Sequence, residues 1–407
     1  MSQEKPPAVH LLSRALHRIR STPPRVITSP PTQPRRAAVA LIIRVVPSPT
    51  TPPGPKPPIP PTLAEFFELD WVNDPSARPE ILFLRRENQG ADSDPSLANS
   101  RLRNTQEAHV AFPGGRMEEG DEGGLYTAMR QTWEEIGLDL AERDYTCIGQ
   151  LDDREITTSL GKRLLMILSP FVFLQLTPYA PPCDPSPSTT LHWTPLHSLA
   201  SPYAAPQWST VTVDAASRLA PRHSTALRLL VRVLVGSMQF PAIILNPSTE
   251  GDVEKGRRRA LERLKLWGLS LGMTLDLMSF MVPPGSSSSS HASSAFSTAL
   301  QLPFNPVAGG MRMEVVAPSL ASVFPRFSYP DVNFWIWVFG KRYREVVRGW
   351  EASVRAGGTN DRRINWSGSA LNTFYAAIRK ALVVVIVARA LGLLFGLAFA
   401  GWWMFWT

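Results

Sequence analysis

The branched run Ala37–Ile43 is apolar throughout and too short for a solvated helix, so it predicts a buried strand. Ile81–Leu84, closed by Arg85 and Arg86, predicts its partner strand. Residues 112–138 read FPGGRMEEGDEGGLYTAMRQTWEEIGL. A paired-glycine turn leads into a cluster of acids, then into a short amphipathic helix that Gly137 ends. Further on, His223–Leu234 is amphipathic, and Val253–Met278 begins polar and turns apolar at Leu266, which predicts a helical extension over residues 206–280. Its LWGLSLGMTLDLM stretch, broken by two glycines, suits a lid over the preceding domain. Near the start, Val9, Leu12, Leu16 and Ile19 fall on one helical face, with His10, Arg14, His17 and Arg18 largely outside it.

The longest apolar run is Ala381–Trp406, interrupted only by Arg389. Its 26 residues are ample for a helix across a hydrocarbon core. Trp402, Trp403 and Trp406 gather at its end, where aromatic rings prefer the membrane interface. Lys341–Lys380 holds nine basic and three acidic residues, an excess suited to the cytosolic or matrix side. The pattern predicts a single-pass C-terminal anchor over residues 381–406, with the rest of the chain on the cytosolic side; a buried core helix is the competing expectation. Mitochondrial and peroxisomal membranes are both compatible with this layout.

Charge and proline distribution refine the picture. Sixteen of the 39 prolines lie in the first 61 residues, which argues against a packed fold there and marks residues 47–61 as a Pro-rich insertion. Residues 5–64 contain nine Lys or Arg and no acid, so this arm carries the whole +8 excess and the remainder is near neutral. A nucleic-acid partner is therefore not expected. Residues 1–34 are expected to be a disordered basic arm, although an Arg-rich, acid-poor amphipathic start also resembles a mitochondrial presequence. Residues 281–300 hold a Ser-rich linker, and residues 301–380 lead through the basic segment to the anchor. Two cysteines, Cys147 and Cys183, give neither metal-ligand spacing nor a disulfide framework.

The chemistry concentrates in residues 112–138. Gly114 and Gly115 offer backbone that can turn sharply and approach a ligand closely. Arg130 and Glu134 stand four residues apart on the helix, as do Gln131 and Glu135, so each pair shares a face. Adjacent glutamates can supply carboxylates to a hard cation such as Mg2+ or Mn2+, which binds one or two carboxylates together with substrate phosphates. Such an ion neutralises phosphate oxygens and acidifies water, the requirement for cleaving a diphosphate. A merely solvated acidic face is the competing explanation for any lone Glu pair.

The full string resembles the Nudix box, G-x5-E-x7-R-E-U-x-E-E-x-G-U with U aliphatic. Here Gly115 is followed by six residues, Glu122, seven residues and Arg130-Gln131-Thr132-Trp133-Glu134-Glu135-Ile136-Gly137-Leu138. The first gap is one residue longer, and Asp121 would restore the shorter spacing. Gln131 stands where the family has Glu. The resemblance implies an α/β Nudix sandwich with a mixed sheet over residues 35–205. It further implies metal binding by Glu134, Glu135, the Gly115 backbone and Glu122, with Arg130 orienting the carboxylates and Gln131 in the position of metal or water activation. Glu118, Glu119 and Asp121 are alternative loop ligands, or simply favourable charge near a helix N-terminus.

Flanking residues extend the resemblance toward the coenzyme A diphosphatase branch. Cys147–Asp153, Thr157, Gly161 and Pro170–Val172 look like the strand-loop-strand after the box, and Trp193-Thr194-Pro195-Leu196 like the closing element. Upstream, Leu102-Arg103 and Val110–Gly115 fit that branch, while its His and Gly fall on Gln106 and Ala108. No acid sits close before Trp193; His192 reads as a strand-edge histidine. The expected function is metal-dependent hydrolysis of a small-molecule nucleoside diphosphate derivative, coenzyme A or acyl-CoA foremost. A membrane-anchored pseudoenzyme that binds nucleotide ligands without turnover is the alternative.

Overall fold

The computed structural model describes residues 8–28, 35–86, 107–157, 164–199, 207–216, 224–245, 263–281, 325–345 and 363–406. The elements before the box are α1 (Ala8–Ser21), β1 (Arg36–Val46), α2 (Leu63–Glu68), α3 (Asp70–Asn73), β2 (Arg78–Arg86) and β3 (Glu107–His109). Then come β4 (Gly114–Arg116), α4 (Gly124–Ile136), β5 (Tyr145–Gln150), β6 (Arg154–Thr157), β7 (Leu164–Gln175), β8 (Thr189–Pro195) and α5 (Leu196–Leu199). The remainder holds β9 (Trp208–Asp214), α6 (Thr225–Val235), β10 (Ser237–Leu245), β11 (Arg263–Trp267), α7 (Gly268–Ser279), β12 (Arg326–Phe327), α8 (Pro330–Phe339) and α9 (Arg363–Trp406).

The chain divides into two compact units, the first made of Met1–Ile156, Leu165–Ser209 and Ala242–Gln301. Its main sheet runs β5-β7-β1-β2-β8, with β4 also on β1 and β6 on β7. β1 pairs parallel with β7 and antiparallel with β2 and β4, so the sheet is mixed. Side chains alternate across β1. Ala38, Ala40 and Ile42 join Ala128 and Ile136 of α4 in one core cluster with Leu82, Leu84 and Phe173, while Leu41, Ile43, Ile81 and Phe83 are buried as well. Burial of every side chain of Ala37–Ile43 except the partly buried Val39 explains its unbroken apolar run.

Two expectations for this unit need correction. The N-terminal arm is not without structure: Ala8–Ser21 is helical and buries Val9, Leu12, Ala15, Leu16 and Ile19. Arg18 Nη1 donates to Phe280 O at 2.8 Å, and the backbone N–H groups of Arg25 and Ile27 donate to Asp152 and Asp153. Its apolar stripe is thus covered by the protein itself. Nor is the 206–280 extension wholly helical, because Arg263–Lys265 pairs parallel with Glu107–His109 and Leu264–Trp267 pairs antiparallel with Ala242–Leu245. The apolar stretch expected as a lid is α7, whose Leu271, Met273, Leu275, Leu277 and Met278 are all buried. It is a core helix, tied by an Asp276–Arg154 ion pair. Leu102, Arg103, Gln106, Gly161 and the Ser-rich linker lie outside the described residues.

The second unit comprises Thr157–Leu164, Thr210–Pro241 and Leu302–Thr407. Its core gathers Leu234, Val235, Met238, Phe327, Val332, Ile336, Phe374, Ile378, Ala381, Leu382 and Val385. The C-terminal helix starts well before the expected span, at Arg363, and its Ala381, Leu382 and Val385 belong to this core. From Leu391 onward large apolar side chains are exposed. This helix is long and apolar enough to cross a membrane.

Candidate active site

The box strand and box helix face each other across the short loop 117–123. β4 pairs with Ala37–Val39 of β1, placing Gly114 opposite Val39. Gly114 has φ +146°, and a Cβ there would lie 2.3 Å from Ala38 O, so glycine is required by both the backbone and the close approach. At Gly115 an added Cβ would meet Gln131 Oε1 at 2.1 Å. Any side chain at 115 would push the Gln131 amide away. At the other end Gly137 closes α4 in the left-handed conformation (φ 65°), its N–H donating to Trp133 O.

Arg130 organises the acids. Its Nε donates to Asp121 Oδ1 at 2.7 Å and its Nη2 to Asp121 Oδ2 at 2.8 Å. Nη1 donates to Glu134 Oε1 at 2.9 Å and Glu118 Oε1 at 3.3 Å, and Nη2 also to Arg116 O at 3.3 Å. The guanidinium's donor capacity is thereby filled, which fixes its plane. Asp121 is almost fully buried and further accepts from the Thr127 hydroxyl and the Glu118 backbone N–H. The bidentate Arg130 bond, reinforced by these donors, holds the Asp121 carboxyl well below the usual carboxylate range. Pairing with Asp121 and Glu134 likewise raises the affinity of Arg130 for its proton.

The metal-ligand candidates therefore sort differently from expectation. Asp121, not Glu122, faces Arg130, and its oxygens are spent on holding that residue. Glu122 is exposed on the loop. Glu134 is half exposed and reaches Arg130 with one oxygen; the other accepts from Gln131 Nε2 at 3.2 Å. Gln131 thus bonds Glu134 rather than Glu135. Glu135 is held by Arg86, whose Nε and Nη2 donate to its two oxygens, the latter at 2.7 Å. Arg86 also reaches the carbonyls of Phe112 and Gly114. Sequence reasoning missed this residue; the only available signal was an arginine ending a strand next to the glycine turn.

Among the described residues no three His, Cys, Asp or Glu side chains form a ready cage for a metal. The donor set still fits a hard divalent cation that completes its shell with substrate oxygens. Two adjacent carboxylates, Glu134 and Glu135, and the amide oxygen of Gln131 are of the right type, and Mg2+ seldom takes an all-protein cage.

Residues 71–214 match the family model of the NUDIX domain. The chain carries a Nudix domain. The match holds the whole Arg130-centred site and strands β2 to β8, while β1, the strand on which β2, β4 and β7 all pair, precedes it. An uncharacterized protein of Schizosaccharomyces pombe is 27% identical over 266 residues, covering 64% of this chain and 69% of that protein. A MutT/nudix family protein from Enterococcus faecalis, known from its crystal structure, aligns with TM-score 0.24 and 11% identity over 53% of this chain. The chain spans about half the length of that structure, 54%.

The Asp121–Arg130 pair sets the geometry of this cluster, and Asp121→Asn is expected to weaken metal binding there about 10- to 100-fold, as for outer-shell partners elsewhere. The pH sign follows from the lowered folded-state pKa. Asp121 contributes stability above the unfolded carboxylate range and loses it as pH falls through the folded value. Acid unfolding of wild type and Asp121→Asn should therefore converge toward low pH, and a constant gap across the titration would refute this role for the pair.

Proposed function

We propose that the Nudix domain hydrolyses the diphosphate linkage of a nucleoside diphosphate derivative with Mg2+ or Mn2+, coenzyme A or acyl-CoA being the leading substrate, on an α/β/α sandwich. The observation that carries this is the Arg130 clamp. It spends its bonds on Asp121 and presents the half-exposed Glu134 beside Glu135 at the glycine turn. When bound, the cation would neutralise phosphate oxygens and acidify water. Glu134, Glu135 and the Gln131 amide would hold it, with the Gly115 backbone close by. Gln131 takes no proton, so a proton acceptor within this cluster has to be a carboxylate. Arg86 adds a cation beside the glycine turn, suited to meeting a phosphate once Glu135 turns toward metal. The coenzyme A preference rests on the sequence pattern upstream of Phe112.

The test is a panel of diphosphate compounds incubated with purified protein and either metal, with products identified. Hydrolysis at the anhydride is expected; inactivity of folded protein across the panel would overturn the proposal. A second reading, a binder without turnover, is favoured by one observation: both glutamates are already paired with arginines, and the residue between Gly115 and Glu134 is a neutral amide. Metal-dependent ligand binding without product would select it.

We also propose that α9 anchors the protein in a membrane as a single C-terminal span with the Nudix domain on the cytosolic side. Its support is the exposed apolar surface of Leu391–Trp406, ending in the tryptophans. Full-length protein should stay with membranes after alkaline carbonate extraction; its release would end the spanning proposal.

A further inference from the structure

The second unit exposes apolar surface well beyond the proposed span. In α6, Leu227, Leu229, Leu230 and Val233 are 45–65% exposed, and only Leu234 and Val235 are buried. A helix of a water-facing fold would turn such residues inward. In α8, Phe334 and Trp337 are 56% and 50% exposed and stack on one another, with Val338 beside them. Positions 334, 337 and 338 form a single helical stripe. On α9 the exposed apolar residues begin at Val383 and Val387, before Arg389, and continue through Leu391, Leu394 and Phe395.

Arg389 joins the three helices. Its Nη1 donates to Leu234 O at the end of α6 (2.6 Å), its Nη2 to Asp331 Oδ2 in the first turn of α8 (2.6 Å), and its guanidinium lies 4.3 Å over the Tyr329 ring. An arginine near lipid is costly unless paired in this way. The pairing also sets depth. α8 runs antiparallel to α9, with Asp331 at Arg389 and Tyr343 packed on Phe374. From Arg389 to Trp406 the helix rises about 26 Å at 1.5 Å per residue, close to the thickness of a hydrocarbon core. With the C-terminal tryptophans at the far interface, Arg389 falls at the near one, and α8 lies alongside the stretch that enters it.

We infer that α6 and α8 lie in the headgroup layer at the near interface beside α9, so that a lipid bilayer, not water or another protein, covers their exposed apolar faces. This rests on the proposal that α9 spans. The chemistry of the faces fits lipid: aromatic rings of Phe334 and Trp337 suit the headgroup–acyl boundary. Arg228 and Arg232 on α6, and Lys341 and Arg342 just after α8, place cations where anionic headgroups lie. The apolar surface is also continuous with that of the span.

The test uses full-length protein with Cys147→Ser and Cys183→Ser, carrying a bimane label at Leu229→Cys, Phe334→Cys, Phe395→Cys or, as an exposed control at the end of α3, Asn73→Cys, in phosphatidylcholine–phosphatidylserine vesicles. Lipids with a nitroxide high on the acyl chain should quench the labels at 229 and 334 at least about twofold more than the control, as for interfacial helices. Labels at 229 and 334 that match the control and are quenched by aqueous iodide would overturn the inference. So would labels shielded from both quenchers, which would mean a protein covers these faces. The label at 395 reports separately on the span: if it too escapes lipid quenching, the anchor proposal has failed.

Discussion

Glu134→Gln and Glu135→Gln should each lower turnover about a hundredfold or more, because each removes a carboxylate from the set available to the cation. Folding should survive both changes. Glutamine at 134 can still accept from Arg130 through its carbonyl, in place of the carboxylate that now does so at 2.9 Å. At 135 the amide oxygen can take one of the two Arg86 donors, leaving the other for solvent on a side chain that is already partly exposed. The two variants differ in one respect: loss of the Glu135 charge also releases Arg86. Substrate KM is therefore expected to move more in Glu135→Gln than in Glu134→Gln, because a freed cation beside the glycine turn can meet phosphate. Steady-state kinetics at saturating Mg2+ with a check on folding by circular dichroism will decide. Near-normal kcat in either folded variant would place the reacting centre elsewhere.

Gln131→Glu should raise turnover, by up to about 10^2- to 10^4-fold if a missing carboxylate limits the enzyme. The side-chain amide of Gln131 donates to Glu134 at 3.2 Å, so a glutamate there sets two carboxylates against each other. Without a cation the pair repels. Melting temperature measured without metal should therefore fall, and added Mn2+ should restore it more in the variant than in wild type. An enzyme that already uses another acid would show the metal-dependent stabilisation with little change in rate. Inactivity of wild type and variant alike, with metal-dependent ligand binding preserved, would favour the binder over the hydrolase.

Much of the site's local geometry could be read from spacing alone. The Arg130–Glu134 pair follows from four-residue helical periodicity, and the stop at Gly137 from the ease with which glycine adopts positive φ. β1 and β2 declared themselves because their side chains are buried on both faces, which leaves no polar alternation to confuse with a helix. Long-range pairings were not legible. Arg86 and Glu135 are 49 positions apart, and nothing local marks one as the partner of the other. The choice between Asp121 and Glu122 turned on the Thr127 hydroxyl and the Glu118 N–H, both aimed at Asp121 Oδ2. The strand Arg263–Trp267 was hidden because its apolar residues continue into α7, and only pairing with Ala242–Leu245 separates strand from helix.

The amphipathic start of the chain shows a different limit. Periodicity reports that Val9, Leu12, Leu16 and Ile19 share a stripe but not what the stripe touches, and an import leader has the same pattern as a docked helix. Here the stripe is packed inside the first unit, with Arg18 fastened to Phe280 O. A leader is disposable by design, whereas this helix is a structural wedge. Were a processing protease to trim the chain past Thr22, the five apolar side chains now buried by α1 would go with the discarded peptide, and the surfaces they cover would open to water.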